Sequence, residues 1–393
     1  MIQYLKIRNF GPIKNEIEIN FEAVEQMEPD AYEVGMPDGR KLLKLAYIYG
    51  ANGSGKTTVL KAFEFLRNLL LNPINNKTGE LNYEPFLFCE APYTEPSFFE
   101  MAFYADGIRY IYELNFAKHS ILNEKMVFYH SAKPTELYSR ITNAEKRLTK
   151  IQFGSKIKIP VREKDLLESN TLHNNTVFGA YAKTNVDIPE LEKLNKWFST
   201  FLLGMVTSTM GLTELTASQI ETNPGVNKWI NSYLNKADKQ IKEVNVQGFA
   251  NRIGLPSDET KYGGPDPRKI DFVHDIGDGK KYIVPILKEG NGMIRYFGLG
   301  GPLYELIHGQ CMLCIDDLET SLHPDLMKFF LQMFLMNASA SQMLITTHNV
   351  ALMEHLDFIR KDALWFCEKE NNGAVNVYSA ADFDSTSYER TPV

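Results

Sequence analysis

Residues 50–58 read Gly-Ala-Asn-Gly-Ser-Gly-Lys-Thr-Thr and contain the spacing G-x-x-x-x-G-K-[ST]. A glycine-rich loop of this kind turns backbone N–H groups toward a phosphate, and the helix that follows directs its positive end to the same point. In this pattern Lys56 reaches the β- and γ-phosphates, and Thr57 gives its hydroxyl to Mg²⁺. The residues predicted to contact the nucleotide are Gly50, Asn52, Gly53, Ser54, Gly55, Lys56, Thr57 and Thr58.

The sequence on either side of this loop supports the same interpretation. Residues 45–49 are an apolar run typical of a buried parallel strand, and residues 59–70 have the apolar spacing of a helix. The alternative is a glycine-rich turn that fits the pattern by chance. Because strand, loop and helix follow one another in the order that phosphate binding requires, we favour the nucleotide site.

The composition is that of an ordinary globular protein. The 393 residues are 44% hydrophobic and 23% charged, which is enough to build one large domain or two to three lobes. No apolar run reaches the roughly 18 residues that span a bilayer, and the first residues, MIQYLKIRNF, lack the layout of a signal peptide. We therefore expect a cytoplasmic protein that does not cross a membrane.

The cysteines do not indicate a disulfide framework or a metal site. Four cysteines are few for a chain of this length, which agrees with a reducing compartment. Cys311 and Cys314 form a C-x-x-C pattern inside an apolar, strand-like run. Residues three apart on a strand point to opposite faces, so we interpret both as core residues.

The charge distribution leaves the question of nucleic-acid binding open. A net charge of −7 argues against a surface that binds nucleic acid generally. Residues 146–164 nevertheless carry seven lysine and arginine side chains. A solvated basic face is the simpler interpretation of this basic segment, and contact with a phosphate backbone is the alternative.

The pattern along the chain predicts three parts. Residues 3–21 and 97–116 alternate around glycine-containing turns and predict two β-hairpins, whereas residues 23–41 look like an irregular insertion. Residues 164–244 have helical apolar spacing, and residues 251–269 return to a loop composition. We predict an N-terminal lobe at 1–160, a mainly helical insertion at 161–265 and a C-terminal lobe at 266–393.

Two strand-like runs in the C-terminal part end in polar residues that complement the phosphate loop. Residues 311–315 precede Asp316 and Asp317, and residues 342–345 precede Thr346, Thr347 and His348. A carboxylate at a strand end beside a phosphate loop is placed to hold Mg²⁺, which we assign to Asp316 together with Thr57. Asp317 is predicted to orient or deprotonate the attacking water, and His348 to hydrogen-bond the γ-phosphate.

These segments together resemble a known family, the compact ABC-type ATPases of the SMC, RecF and OLD kind, and specifically AAA-family defence-type ATPases that lack a coiled coil. The resemblance covers nearly the whole chain. It is carried by LKIRNFGPI (5–13), the Walker A loop (50–58), LCIDDLETSLHP (313–324), LITTHN (344–349) and the closing segment 364–383. It implies an α/β ABC/SMC-type P-loop NTPase head with an antiparallel β subdomain and an inserted helical subdomain.

The resemblance also implies a dimer in which the Walker A loop of one copy faces a signature segment of the other. By position, that segment is KEGNGMIR (288–295), and Gly290, Asn291 and Gly292 would approach the phosphates through their backbones. Gly290 and Met293 stand where the family usually has serine and threonine, and Asp317 stands where it usually has glutamate. Aspartate is shorter by one methylene, roughly 1.5 Å of reach. We therefore expect secure ATP and Mg²⁺ binding with slow hydrolysis.

The biological role is predicted less directly by the sequence. Only about 45 residues follow His348, too few for a fused nuclease domain. We expect an ATPase that forms a homodimer or higher oligomer and regulates a separate effector, a nuclease or toxin, as family members do in antiviral defence. A RecF-like ATPase that binds DNA ends, and a structural oligomer that uses nucleotide only for assembly, are the alternatives.

Overall fold

The computed structural model describes residues 1–25, 30–143, 145–207, 210–248, 268–349 and 359–383. The strands, in chain order, are β1 (Ile2–Arg8), β2 (Ile17–Asn20), β3 (Glu33–Gly35), β4 (Lys41–Leu43), β5 (Leu45–Tyr49), β6 (Ser97–Ala105), β7 (Ile108–Ala117), β8 (Ser120–Tyr129), β9 (Thr135–Asn143), β10 (Leu148–Phe153), β11 (Ile241–Gln247), β12 (Lys269–Asp275), β13 (Lys281–Pro285), β14 (Met312–Ile315), β15 (Gln342–Thr347), β16 (Leu364–Lys369) and β17 (Val375–Ser379). The helices are α1 (Lys56–Leu71), α2 (Val161–Asn170), α3 (Val177–Tyr181), α4 (Pro189–Phe201), α5 (Leu212–Thr222), α6 (Pro224–Ala237), α7 (Asn291–His308) and α8 (Pro324–Asn337).

The described chain divides into two compact units. The first comprises Met1–Val206, Gln310–Asp317 and Ser339–Val393, and the second comprises Thr207–Gly309 and Leu318–Ala338. The segment predicted as one helical insertion therefore contributes α2, α3 and α4 to the first unit and α5 and α6 to the second. The three-part boundaries remain a prediction, and most of the loop predicted at 251–269 lies outside the described residues.

A mixed five-stranded sheet in the first unit has the order β14-β15-β5-β16-β17. β14, β15, β5 and β16 are parallel neighbours, and β17 pairs antiparallel with β16. Almost every residue of β14, β15 and β5 is buried, as expected for parallel strands covered on both faces. Parallel strands end at the same edge, so the residues after β5, β14 and β15 lie together there.

An antiparallel sheet in the same unit has the order β10-β9-β8-β7-β6-β1-β2. It contains both predicted hairpins, β1 with β2 and β6 with β7, which confirms those two predictions. Phe65 of α1 contacts the rings of Phe10, Phe99 and Phe116, with centroids 5.2 to 5.9 Å apart. This aromatic packing fixes α1, and with it the loop at its N-terminus, against the sheet.

The segment 23–41 is more regular than predicted. β3 and β4 form a short antiparallel pair in which Val34 lies opposite Leu42. Leu42 and Leu43, which directly follow the segment in β4, are fully buried, so the strand that ends this pair is part of the core. The expectation of an irregular insertion was wrong for this pair, and residues 26–29 lie outside the described part of the chain.

The second unit is built around α7, which contains Pro302. Proline has no N–H, so the carbonyl of Gly298, four residues earlier, loses its helical donor. The buried hydroxyl of Thr216 on α5 replaces it and donates to Gly298 O at 2.7 Å, while Gly301 N donates back to Thr216 Oγ1 at 3.1 Å. A Cβ on Gly301 would lie 2.6 Å from the same hydroxyl, so glycine permits this close approach.

Candidate nucleotide site

The predicted phosphate loop lies between β5 and α1, as its sequence requires. β5 ends at Tyr49 and α1 begins at Lys56. Gly53 and Gly55 have φ angles of 79° and 103°, in the left-handed region that favours glycine. A Cβ on Gly50 would lie 2.4 Å from the carbonyl oxygen of Cys367, and one on Gly55 would lie 2.6 Å from Val375 Cγ2. The loop is thus shaped by β16 and by the start of β17.

The Lys56 side chain folds back over this loop. Its Nζ donates to the carbonyl oxygens of Gly50 at 2.7 Å and Ala51 at 3.0 Å, and the residue is 6% exposed. A buried ammonium must be hydrogen-bonded, and here two loop carbonyls satisfy it. Lys56 therefore holds positive charge at the centre of the loop.

Several polar groups of the loop point to an anion as its ligand. Ser54 Oγ is buried and has no hydrogen-bond partner among the described residues. The N–H groups of Gly53 and Gly55 donate to no acceptor in the described chain. Open space surrounds the position that a Gly53 Cβ would occupy. Unpaired donors around a lysine at a helix N-terminus fit a bound phosphate.

The predicted Mg²⁺ residues, Thr57 and Asp316, are brought together from positions 259 residues apart. Thr57 Oγ1 lies 3.0 Å from both carboxylate oxygens of Asp316. Thr346 Oγ1 donates to Asp316 Oδ1 at 2.7 Å and accepts from Asp317 N at 2.8 Å. Carboxylate and hydroxyl oxygens are the ligands that Mg²⁺ prefers, so Thr57 and Asp316 fit the ion.

Thr346 is a residue of this site that sequence reasoning did not assign. It is fully buried at the end of β15, and its hydroxyl connects the side chain of Asp316 to the backbone of Asp317. The signal was its position in the Thr-Thr-His-Asn segment that ends β15. Which of the two threonines lies on the same face of the sheet as the Asp316 side chain depends on the register of β15 against β14.

Asp317 and His348 lie side by side at this edge. A carboxylate oxygen of Asp317 and a ring nitrogen of His348 are within 4.8 Å of each other. The backbone of Asp317 has φ 47°, a conformation that aspartate and asparagine adopt more readily than most residues. His348 is exposed, so its ring is accessible to a ligand at the end of β15. The structure thus groups both predicted catalytic residues, whereas their roles remain predictions.

A cavity of about 440 Å³ adjoins the loop. It is lined by residues 49–54 and by Phe366, Cys367, Glu368 and Lys369 of β16. The Cys367 thiol donates to Ser54 O at 3.1 Å, and burial raises its pKa to about 11, so it is not a reactive thiolate. The residues of β16 reach this cavity because β16 pairs with β5, and the sequence of the loop does not predict their presence.

The predicted signature residues lie at the N-terminus of an 18-residue helix in the second unit. Gly290 precedes α7 as its cap with φ −67°, and Asn291 and Gly292 are the first two helical residues. Nothing lies within 4 Å of the position of a Gly290 Cβ. A free helix N-terminus presents N–H groups that suit a phosphate, although no serine hydroxyl is present at position 290.

Comparison with protein families identifies the chain. Residues 45–354 match the family described as AAA domain, putative AbiEii toxin, Type IV TA system. The chain belongs to this family. It is an AAA ATPase with a P-loop NTPase fold, and the family generally uses ATP with Mg²⁺. Among the described residues the longest helix is α7, so they contain no coiled-coil arm.

Solved SMC head domains are structurally similar to this family member. The SMC head domain from Thermotoga maritima is 14% identical, with 96% of this chain and 98% of that chain covered and a TM-score of 0.42. An Smc head bound to the C-terminal winged-helix domain of ScpA is 10% identical over 96% and 97% of the two chains, with a TM-score of 0.46. No curated protein matches the chain. No described helix is long and apolar enough to cross a membrane.

Proposed function

We propose that the chain binds ATP and Mg²⁺ at residues 50–58 with Asp316, and that two copies close around the nucleotide. The observation that carries this proposal is the arrangement of Lys56, Thr57 and Asp316 at the edge where the parallel strands β5 and β14 end. The second copy would supply the N-terminus of α7, where Gly290, Asn291 and Gly292 lie. Bound Mg²⁺ would supply Lewis-acid stabilisation of the phosphate oxygens.

The chain's own residues have distinct roles in this proposal. Lys56 binds the β- and γ-phosphates, and the loop N–H groups orient them. Asp317 orients the attacking water and accepts its proton, and His348 hydrogen-bonds the γ-phosphate. Thr346 holds the carboxylate of Asp316 and the backbone of Asp317 in place through its two hydrogen bonds.

Hydrolysis in this site is proposed to be slow. Gly290 supplies no hydroxyl to the phosphate of a facing copy, and Asp317 reaches less far than a glutamate. A misplacement on the order of 1 Å can lower a rate about 100-fold. A long-lived ATP-bound dimer suits a protein that scaffolds or regulates a separate effector, and we propose a nuclease or toxin in an antiviral defence system as that effector.

The first test is the mass of the protein in solution, with and without ATP and Mg²⁺, together with phosphate release. We expect ATP to convert monomers to dimers and turnover to be slow. Lys56→Ala should abolish ATP binding and association, and Lys61→Ala, an exposed lysine on the same helix, should change neither. Brisk turnover that DNA stimulates would favour the RecF-like alternative, and association without nucleotide would contradict the ATP-gated dimer.

A further inference from the structure

A second cavity in the first unit, of about 490 Å³, has a basic lining that the ATPase function does not use. We call it the His173 pocket. Its lining includes the turn between β7 and β8, with Lys118 and His119, the side chains of Tyr93 and Leu122, and Arg147 and His173, together with one acidic residue, Glu80. None of its lining residues belongs to the cavity at the phosphate loop.

His173 is held rigidly in this pocket. Its carbonyl oxygen accepts hydrogen bonds from Ile121 N at 2.8 Å, Ser120 Oγ at 3.2 Å and Arg140 Nη2 at 3.2 Å. Arg140 is itself 1% exposed, so a buried guanidinium fixes the backbone at this point. The residue is 3% exposed, yet its ring has no hydrogen-bond partner among the described residues. An imidazole that lines a cavity and makes no hydrogen bond to the protein can hydrogen-bond a ligand there.

The electrostatic environment of this ring is positive. Burial lowers the pKa of His173, and the positive charges of Arg147, Arg140, Lys77 and His119 lower it further. The acidic side chains nearby only partly offset this charge. Lys118 Nζ pairs with Glu84 at 2.6 Å, and His119 Nδ1 lies 3.7 Å from Glu80.

Arg147 is the uncompensated cation of the lining. Its side chain is exposed and forms no ion pair with any described residue. It belongs to the basic segment 146–164, for which solvation and phosphate contact were both open interpretations. Its place in the lining favours phosphate contact for this one residue of the segment.

We propose that the His173 pocket binds the phosphate group of a nucleotide, with Arg147 and His173 as its main polar contacts. The aromatic ring of Tyr93 and the side chain of Leu122 offer apolar surface for an adjoining base. A cavity of this size accommodates a mononucleotide. The phosphate has two sources, a free nucleotide or the 5′ end of a nucleic-acid strand, and the same contacts serve both.

Binding is tested in full-length protein carrying Lys56→Ala, which removes nucleotide binding at the phosphate loop. The probes are 5′-AMP and a short single-stranded oligonucleotide with either a 5′-phosphate or a 5′-hydroxyl, titrated by calorimetry or fluorescence anisotropy. We expect 5′-AMP, or the 5′-phosphorylated strand in preference to the hydroxyl strand, to bind. Whichever probe binds identifies the source, and binding of neither overturns the proposal.

Variants of the lining residues show whether the probes bind in the His173 pocket. Arg147 has φ 53°, a conformation that asparagine tolerates, so Arg147→Asn removes the charge with little backbone strain. We expect it to weaken binding about tenfold, the effect of one charge-assisted hydrogen bond, and His173→Gln to weaken it as well. Arg162→Asn, an exposed arginine of the same basic segment outside the pocket, should change affinity less than about twofold. Equal losses for Arg147→Asn and Arg162→Asn would mean general charge attraction and would overturn the pocket.

Discussion

Thr346 shows how one hydroxyl can position the carboxylate of one residue and the backbone of the next after the same strand. It donates to Asp316 Oδ1 and accepts from Asp317 N, and it is fully buried. A group that orients a metal-holding carboxylate typically contributes about 10- to 100-fold to metal affinity or activity. The orienting role of Thr346 can therefore be tested separately from the metal-holding role of Asp316.

We predict that Thr346→Val, which keeps the shape of the side chain, raises the Mg²⁺ concentration needed for half-maximal phosphate release by about 10- to 100-fold. Thr346→Ser keeps the hydroxyl and should remain within a few-fold of the wild type. The measurement is phosphate release as a function of Mg²⁺ concentration, with ATP binding followed by a fluorescent analogue. Equal activity of the valine and serine variants would show that the hydroxyl has no positioning role.

We expect the side chain of Asp317 to determine the rate of ATP hydrolysis. Asp317→Asn removes the proton acceptor and suits the left-handed backbone at φ 47°. We expect turnover to fall by about 100-fold or more, while ATP binding and the mass of the ATP-bound species stay unchanged. Asp317→Glu should raise turnover because its carboxylate reaches farther. If neither variant changed phosphate release, Asp317 would not act on the water.

At the scale of the element, α7 depends on a side chain from another helix. Thr216→Val would leave the buried carbonyl of Gly298 without a donor, because Pro302 supplies no N–H, and would remove the acceptor that Thr216 offers to Gly301 N. We expect a loss of about 1–3 kcal/mol in the free energy of unfolding. Thr216→Ser keeps the hydroxyl and should lose less. Denaturant unfolding measures both, and a valine variant as stable as the wild type would show that the hydroxyl does not stabilise α7.

At the scale of the whole molecule, the proposed dimer places the signature residues of one copy against the nucleotide of the other. Gly290→Glu sets a negative charge where a phosphate would approach, and open space around the Cβ position allows the fold to accommodate it. We expect this variant to bind ATP normally and to stay monomeric. Gly290→Ser adds the missing hydroxyl and should strengthen ATP-dependent association. Light scattering with and without ATP and Mg²⁺ measures both, and a dimeric Gly290→Glu protein would contradict this interface.

The sequence by itself determined the phosphate loop and the elements around it. The glycine spacing of residues 50–58, the apolar run of β5 and the two hairpins each depend on neighbours close in the chain, so local periodicity was sufficient to predict them. The same reasoning placed Asp316, Asp317 and His348 at strand ends. Their grouping at one edge followed from the general geometry of parallel strands, and the structure shows it.

The tertiary structure alone decided which distant residues complete these sites. The register of β15 beside β14 turns Thr346 toward Asp316, and the pairing of β16 with β5 brings Cys367 against Ser54. The His173 pocket likewise joins the β7–β8 turn to Arg147 and His173, which are far apart in the chain. Strand register and sheet order arise from packing across the whole unit, and no local pattern encodes them.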